Sequence, residues 1–283
     1  MNIKIIIRIT FVLLWMVSAG CASGAVDNTD TQQKRQAPDP VDKVLEQLNK
    51  STRELKSYQG QIEWKFTQPA LFDSQDFRKG TLYYLNEGNK SELRVNFQTR
   101  KQDEEPEQQY IEQYIVLDGA SLAYPGHRFE GTWLVKIDYQ IPEVKYIQVT
   151  EAGDPNKPMD VFELASEYLP LVGFTKTQEL KEQFEISLIE QKTPESKDFI
   201  QVHLKVRPNS IYKDDYKTID FWIDRKLNLP AKVVAVTTED DIYDIKFLQP
   251  KINKAIDKNV FDFKMSKNLG EPEIIPLKEK TEQ

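Results

Sequence analysis

The sequence predicts a mainly antiparallel α+β protein, in which one large curved sheet has helices covering its concave side. Three observations predict this class. Apolar and polar residues alternate in many short segments, tight-turn sequences join successive segments, and two segments instead have the apolar spacing of amphipathic helices. Tight turns make successive strands antiparallel neighbours, and the sequence has no repeated β-α-β pattern.

The predicted elements follow in the order helix, six or seven strands, helix, five strands. The first helix covers residues 40–55, where apolar residues recur at helical spacing after an Asp39-Pro40 start. The second helix covers residues 159–172 and separates two groups of strands. Residues 100–109 are charged and are expected to form an exposed loop. The strands are predicted at residues 62–66, 80–85, 93–97, 110–117, 121–124, 133–137, 144–149, 184–188, 200–206, 219–223, 232–237 and 242–248.

Residues 1–21 predict an export signal of the lipoprotein type. A positively charged start precedes an apolar stretch at residues 9–17, which is shorter than the roughly 20 residues of a membrane helix. The stretch leads into Ala19-Gly20-Cys21, which resembles a bacterial lipobox, in which the cysteine is acylated. Two interpretations stay open, because Cys21 is either lipidated or lies in an ordinary signal that is cleaved after Ala22 or Ala25.

The rest of the chain divides into three parts. Residues 22–39 are polar and are expected to form a flexible tether. Residues 40–265 hold the predicted helices and strands and are expected to form one domain. Residues 266–283 are polar and interrupted by proline, so we expect a loose C-terminal tail.

Composition excludes several classes of function. The formal net charge is −7, from 38 basic and 45 acidic residues, and such a surface repels a nucleic-acid backbone. One cysteine and two histidines leave little for a disulfide, a metal site or a catalytic triad. The serine in residues 119–123 lies between two strands and lacks the last glycine of a hydrolase elbow. We therefore expect no enzyme, no cofactor and no metal.

Short sequence patterns in a fixed order resemble a known family. The patterns are Leu55-Lys56-Ser57-Tyr58, Phe66-Thr67-Gln68, Gly80-Thr81-Leu82-Tyr83-Tyr84, Leu93-Arg94-Val95, Tyr114-Ile115-Val116-Leu117-Asp118-Gly119, Phe221-Trp222-Ile223-Asp224 and Asn259-Val260-Phe261-Asp262-Phe263. In this order, over roughly residues 41–265, the chain resembles the periplasmic lipoprotein-localisation carriers and acceptors, which are LolA/LolB-like. The resemblance implies an open, incomplete β-barrel with a helical lid over an apolar cavity that takes up acyl chains.

The resemblance also implies a role for Arg94. The carriers have an arginine on an early strand that hydrogen-bonds the backbone of the lid, and Arg94 matches it by its place in Leu93-Arg94-Val95. Arg94 would then be the lid latch. On the alternation pattern alone, Arg94 is equally a surface arginine, because it faces opposite to Leu93 and Val95.

Aromatic residues on the predicted strands are candidates for lining the cavity. The candidates are Trp64, Phe66, Phe97, Phe221 and Trp222. The alternative is that they form the ordinary core of a β-rich domain. Trp222 points opposite to Phe221, so both faces of that strand have to be covered.

Three functions compete. The first is a monomeric carrier or acceptor in the bacterial cell envelope, facing the periplasm, which binds lipid or lipoprotein acyl chains and is attached to the outer membrane by an N-terminal lipid anchor. The second is a non-enzymatic envelope sensor or regulator that binds a protein partner through the same fold. The third is an envelope hydrolase, for which the sequence offers no convincing nucleophile and base.

Overall fold

The computed structural model describes residues 39–88, 91–151, 177–190, 197–263, 265 and 268–277. Within these ranges it has two α-helices, α1 (Pro40–Arg53) and α2 (Thr177–Gln183). The strands in the same ranges are β1 (Ser57–Gln68), β2 (Ser74–Asn86), β3 (Ser91–Gln102), β4 (Gln108–Asp118), β5 (Thr132–Asp138), β6 (Glu143–Thr150), β7 (Phe184–Ile189), β8 (Phe199–Val206), β9 (Tyr216–Asp224), β10 (Pro230–Thr237), β11 (Ile242–Ile252) and β12 (Glu273–Ile275).

All twelve strands of the described chain belong to one sheet. Their order is β12-β6-β5-β4-β3-β2-β1-β11-β10-β9-β8-β7, and every pair is antiparallel except β12 with β6. In the described residues β12 and β7 are the two edges and do not pair with each other, so the sheet is not closed into a barrel. The predicted fold class, an open and mainly antiparallel sheet with a small helical part, is confirmed.

The strand registers define two faces of the sheet, because directly opposed residues on neighbouring strands lie on the same face. We call one the front face; Trp64, Ile245, Val233, Phe221 and Val202 lie in one row across it. The other is the back face; Arg94, Ile115, Val135, Tyr146 and Ile274 lie in one row across it.

Both described helices pack on the front face. Val44, Leu45 and Leu48 of α1 are buried in one cluster with Phe221 and with Leu180 of α2. These α1 residues lie on one side of the helix, so the amphipathic pattern of the sequence decides which side of the helix faces the sheet. The helix forms where the sequence predicts it and ends at Arg53.

The back face carries a second core over β4, β5 and β6. Ile115, Val135 and Tyr146 are almost fully buried there, and Phe263 and Ile274 of the C-terminal segment pack against the same cluster. The back face of these three strands is therefore apolar. The C-terminal residues contribute to covering the back.

Three local predictions are wrong. Residues 121–124 are not a strand, because Gly119–Ser121 forms a 3₁₀ turn in which the Asp118 carboxylate accepts a hydrogen bond from the Ala120 amide. The C-terminal tail is not wholly loose, because Glu273–Ile275 pairs in parallel with β6 and places Ile274 beside Tyr146. The loop expected at residues 100–109 is shorter, because β3 and β4 extend into it and leave a turn at residues 103–107.

Two predictions about helices have other outcomes. The helix expected at residues 159–172 lies outside the described residues, and α2, seven residues long, was not predicted. None of the helices that the structure describes is long and apolar enough to span a membrane.

Candidate functional site

An aromatic cluster lies on the front face of the sheet, and its residues are on strands β1, β3 and β11. The ring centroids of Trp64 and Phe66 are 5.9 Å apart, those of Trp64 and Phe97 are 6.4 Å apart, and those of Phe66 and Tyr243 are 4.7 Å apart. Trp64 and Phe66 share a face because they are two residues apart on one strand, and the register places Tyr243 opposite Phe66. Phe97 is buried, whereas the other three are only half-buried.

A buried ionic network adjoins this cluster on the same face. The Arg78 guanidinium lies between two carboxylates, with Nη2 2.8 Å from Asp76 Oδ2 and Nη1 bonded to Glu112 Oε2. Arg100 Nε lies 2.9 Å from Asp76 Oδ1, and Lys136 Nζ lies 3.2 Å from Glu112 Oε1. The Glu112 side chain is only 2% exposed. Each carboxylate in the network thus has two cationic partners.

The Arg78 side chain joins the network to the aromatic cluster. Its guanidinium carbon lies 4.8 Å from the Trp64 ring centroid and 5.9 Å from that of Phe97. A guanidinium over an aromatic face is attracted by the negative charge of the π system. The aromatic cluster and the ionic network are therefore in direct contact on the front face.

Electrostatics stabilise the charged forms in this network. Burial raises the pKa of Asp76, but hydrogen bonds from Arg78 and Arg100 outweigh burial and hold that pKa below its ordinary value. Burial lowers the pKa of Arg78, but the hydrogen bond to Asp76 and the negative charge of Glu112 raise it above its ordinary value. Burial and the charge of Glu112 both raise the pKa of Tyr114, whose hydroxyl donates to Glu112 Oε1 over 3.0 Å. Asp76 and Arg78 are charged at neutral pH, and Tyr114 is neutral.

Arg94 lies on the back face and holds the C-terminal segment. Its Nη1 donates to the backbone carbonyls of Val260 and Asp262 over 2.7 and 3.2 Å. Its Nε and Nη2 donate to the side-chain oxygens of Asn96 and Gln113, both over 2.8 Å. The two side chains orient the guanidinium, and the two carbonyls belong to the C-terminal segment that it fixes.

The backbone that Arg94 bonds is therefore not that of a described α-helix, as the lid-latch prediction would have it. Arg94 does bond backbone carbonyls, but these lie in and just after the 3₁₀ turn Lys258–Phe261, and α1 packs on the other face of the sheet. An open, largely polar groove of about 420 Å³ lies beside Arg94, between Tyr139 and Phe263. This groove is not the apolar cavity that the resemblance implies. Whether Arg94 controls a ligand stays a prediction.

The other predicted site residues do not all come together. Trp64, Phe66 and Phe97 form the aromatic cluster, whereas Phe221 is fully buried beneath α1. Trp222 lies on the back face, where Lys232 Nζ is 4.8 Å from its ring centroid. Cys21 lies outside the described residues, so its lipidation stays a prediction.

Sequence reasoning missed the ionic network. A signal was present, because Glu112 shares a strand face with Tyr110 and Tyr114, and a charge inside an aromatic row needs a buried partner. In the described part of the chain, no group of three or more His, Cys, Asp or Glu side chains could hold a metal ion.

Comparison with known proteins gives distant structural similarity. No model of a known protein family matches the chain, and no curated protein matches its sequence. A chain of the MucA/MucB complex from Pseudomonas aeruginosa is 11% identical, with a TM-score of 0.44, over 81% of this chain and 62% of that chain. This chain thus spans less than two thirds of that neighbour.

Two further solved structures are similarly distant from this chain. A putative outer membrane lipoprotein-sorting protein domain from Vibrio parahaemolyticus is 11% identical, with a TM-score of 0.37, over 78% of this chain and 97% of that one. A LolA superfamily protein from Nitrosomonas europaea is 10% identical, with a TM-score of 0.32, over 77% and 96%. LolA superfamily proteins are thus among the structural neighbours, as the sequence resemblance predicts. Such distant similarity says nothing of a ligand, so the site itself has to support the proposal.

Proposed function

We propose that this chain is a non-enzymatic carrier or acceptor of the bacterial cell envelope that binds acyl chains of a lipoprotein or another lipid on the front face of its sheet. One observation carries the proposal. Trp64, Phe66 and Tyr243 form a contiguous aromatic surface that is only partly buried, beside an otherwise buried apolar core. Apolar surface that stays accessible within a fold is typical of sites that bind apolar ligands.

The chemistry of the cluster suits an alkyl chain. Burying a methylene group contributes roughly 0.8 kcal/mol before the entropic cost of ordering the chain. Flat aromatic rings offer such a chain an apolar surface to pack against. The Arg78 network supports orientation, because its charges make one side of the cluster unfavourable for methylenes and suitable for a polar head group.

The cellular part of the proposal rests on the N-terminal sequence. The export signal and Ala19-Gly20-Cys21 support a periplasm-facing protein with an acyl anchor, attached to the outer membrane. The ligand-binding part does not depend on that anchor.

Quenching of tryptophan fluorescence by a brominated fatty acid tests the binding face. Bromine quenches an indole only at contact, and Trp64 and Trp222 lie on opposite faces of the sheet. Titration with dibromostearic acid should quench the wild-type protein, Trp64→Phe should lose most of that quenching, and Trp222→Phe should keep it. Quenching that survives Trp64→Phe, or no quenching in the wild type, contradicts the proposal. Native mass spectrometry of protein purified from membranes then identifies any lipid that is retained.

A further inference from the structure

Five turns lie together at one end of the sheet, which we call the turn end. Their residues are 69–73, 103–107, 139–142, 207–215 and 238–241. The registers require this, because Gln68 faces Ser74 at the same end of the sheet where Thr67 faces Ile242. Two of the turns also bond to each other, since the Thr238 hydroxyl donates to the Asp214 carbonyl over 3.0 Å.

Exposed apolar side chains concentrate at the turn end. In the described residues, five of the seven strongly exposed large apolar side chains are on these turns. They are Leu71, Phe72, Tyr139, Ile141 and Ile211. The Phe72 side chain is fully exposed, and both Phe72 and Asp73 have left-handed backbone, with φ of 57° and 58°. Left-handed backbone is unfavourable for residues with side chains, and a fully exposed phenylalanine gains nothing within this chain.

The same turns carry an excess of acidic over basic residues that is as large as the net negative charge of the chain. They contain ten acidic and two basic residues, a net charge of −8, whereas the whole chain has a net charge of −7. The acid is concentrated in residues 103–107 and 238–241. The residues outside these turns therefore have almost no net charge. Of the turn-end acids, Glu107 and Asp240 are paired with lysines of the adjoining strands, and the others add to the negative charge of this end.

Apolar and acidic turns alternate along the sheet. In the strand order the turns come as 139–142, 103–107, 69–73, 238–241 and 207–215, so that each acidic turn lies between two turns with exposed apolar residues. Neighbouring apolar turns are four strands apart, roughly 20 Å along the sheet at the usual strand spacing. The whole array spans about 40 Å, which is the extent of a protein interface and far more than a small ligand would occupy.

We propose that the turn end docks a partner protein that has apolar pockets, one of them for Phe72, separated by lysine and arginine side chains. The acidic turns favour such a surface and oppose an anionic phospholipid surface, which would meet like charge at each of them. The docking surface does not depend on acyl-chain binding by the front face. Such a surface would serve a carrier that receives its cargo from another protein, and it would equally serve a regulator that binds a protein partner.

Cross-linking followed by affinity measurement tests the proposal on the full chain. A photo-reactive residue in place of exposed Ala70 identifies the protein that contacts the turn end in cells. The purified partner should then bind Phe72→Ser roughly tenfold or more weakly than the wild type. Ile189→Ser is the matched control, because Ile189 is also exposed but lies at the other end of the sheet, and it should bind like the wild type. Glu104→Lys should slow association at low salt.

Three outcomes would overturn the proposal. They are the absence of any cross-linked protein, equal affinity of Phe72→Ser and Ile189→Ser for the partner, and binding to phosphatidylethanolamine–phosphatidylglycerol vesicles that Phe72→Ser abolishes. The last outcome would assign the surface to a membrane instead. Quenching by dibromostearic acid should be unchanged in Phe72→Ser, so failure of the docking surface is distinguishable from failure of acyl-chain binding.

Discussion

Replacing Arg94 with leucine is expected to loosen the C-terminal segment without unfolding the sheet. Leucine removes all four hydrogen bonds of the guanidinium, including those to the Val260 and Asp262 carbonyls. The pairing of β3 with β2 and β4 is made by the backbone and does not use the Arg94 side chain, so that pairing should remain. The segment loses an attachment, and its local opening should become more frequent than global unfolding.

The magnitude follows from the two bonds to the segment. Charge-assisted hydrogen bonds contribute about 1.5–3 kcal/mol each when shielded, and since Arg94 is only half-buried we take about 1 kcal/mol for each of the two carbonyl bonds. Their sum of about 2 kcal/mol corresponds to a roughly thirtyfold increase in the opening equilibrium. In Arg94→Lys the opening equilibrium should lie between those of the wild type and Arg94→Leu, because one ammonium group does not span both carbonyls well.

Hydrogen exchange followed by mass spectrometry measures this opening directly. Amides of residues 258–263 should exchange about thirtyfold faster in Arg94→Leu, whereas those of α1 should not change. Lys258→Ala is the matched control, because Lys258 lies in the same segment and forms only an exposed ion pair with Glu87, which contributes little. Unchanged exchange in Arg94→Leu, or an equal effect of Lys258→Ala, would show that Arg94 does not hold the segment.

Three further predictions concern other parts of the chain. Glu112→Gln should lower the free energy of unfolding by about 3 kcal/mol, measured in urea, because it leaves the buried Arg78 guanidinium short of a counter-charge. The pKa of Asp76 is lower in the folded than in the unfolded protein, so the stability that its carboxylate contributes is fully present above about pH 4 and is lost as the pH falls further. In Asp76→Asn, the free energy of unfolding should therefore depend less on pH in that acidic range. Cys21→Ser should abolish membrane association, and fractionation identical to the wild type would rule out the anchor.

Alternation along single strands predicted the local structure well. Strands β1, β2, β3 and β4 include the predicted segments, and α1 begins where the Asp39-Pro40 start indicates. Periodicity reports which face a side chain takes, and it separated Phe221 from Trp222 correctly. It fails for β12, because three residues are too short to show a period.

The candidate site was less predictable because its contacts join distant parts of the sequence. The Arg94 guanidinium meets carbonyls that are 166 and 168 residues further along the chain, and no local pattern indicates such a pairing. Similarly, the partner of Glu112 lies on β2, two strands away. The aromatic candidates Trp64 and Phe97 came together only through the registers of β1 with β2 and of β2 with β3.

The pairing of β1 with β11 has a consequence for how the protein reaches its native state. In the described sheet every other antiparallel neighbour is also the next strand in the chain, so β1–β6 and β7–β11 are two meanders of local contacts. Only the pairing of β1 with β11, which we call the seam, joins the two meanders, and in it Tyr58 faces Ile252. Forming the seam is slow, because it closes a loop that contains most of the described chain. We expect both meanders to form early and the seam to be absent from the transition state. Truncating Ile62 within the seam should then accelerate unfolding and leave the refolding rate almost unchanged.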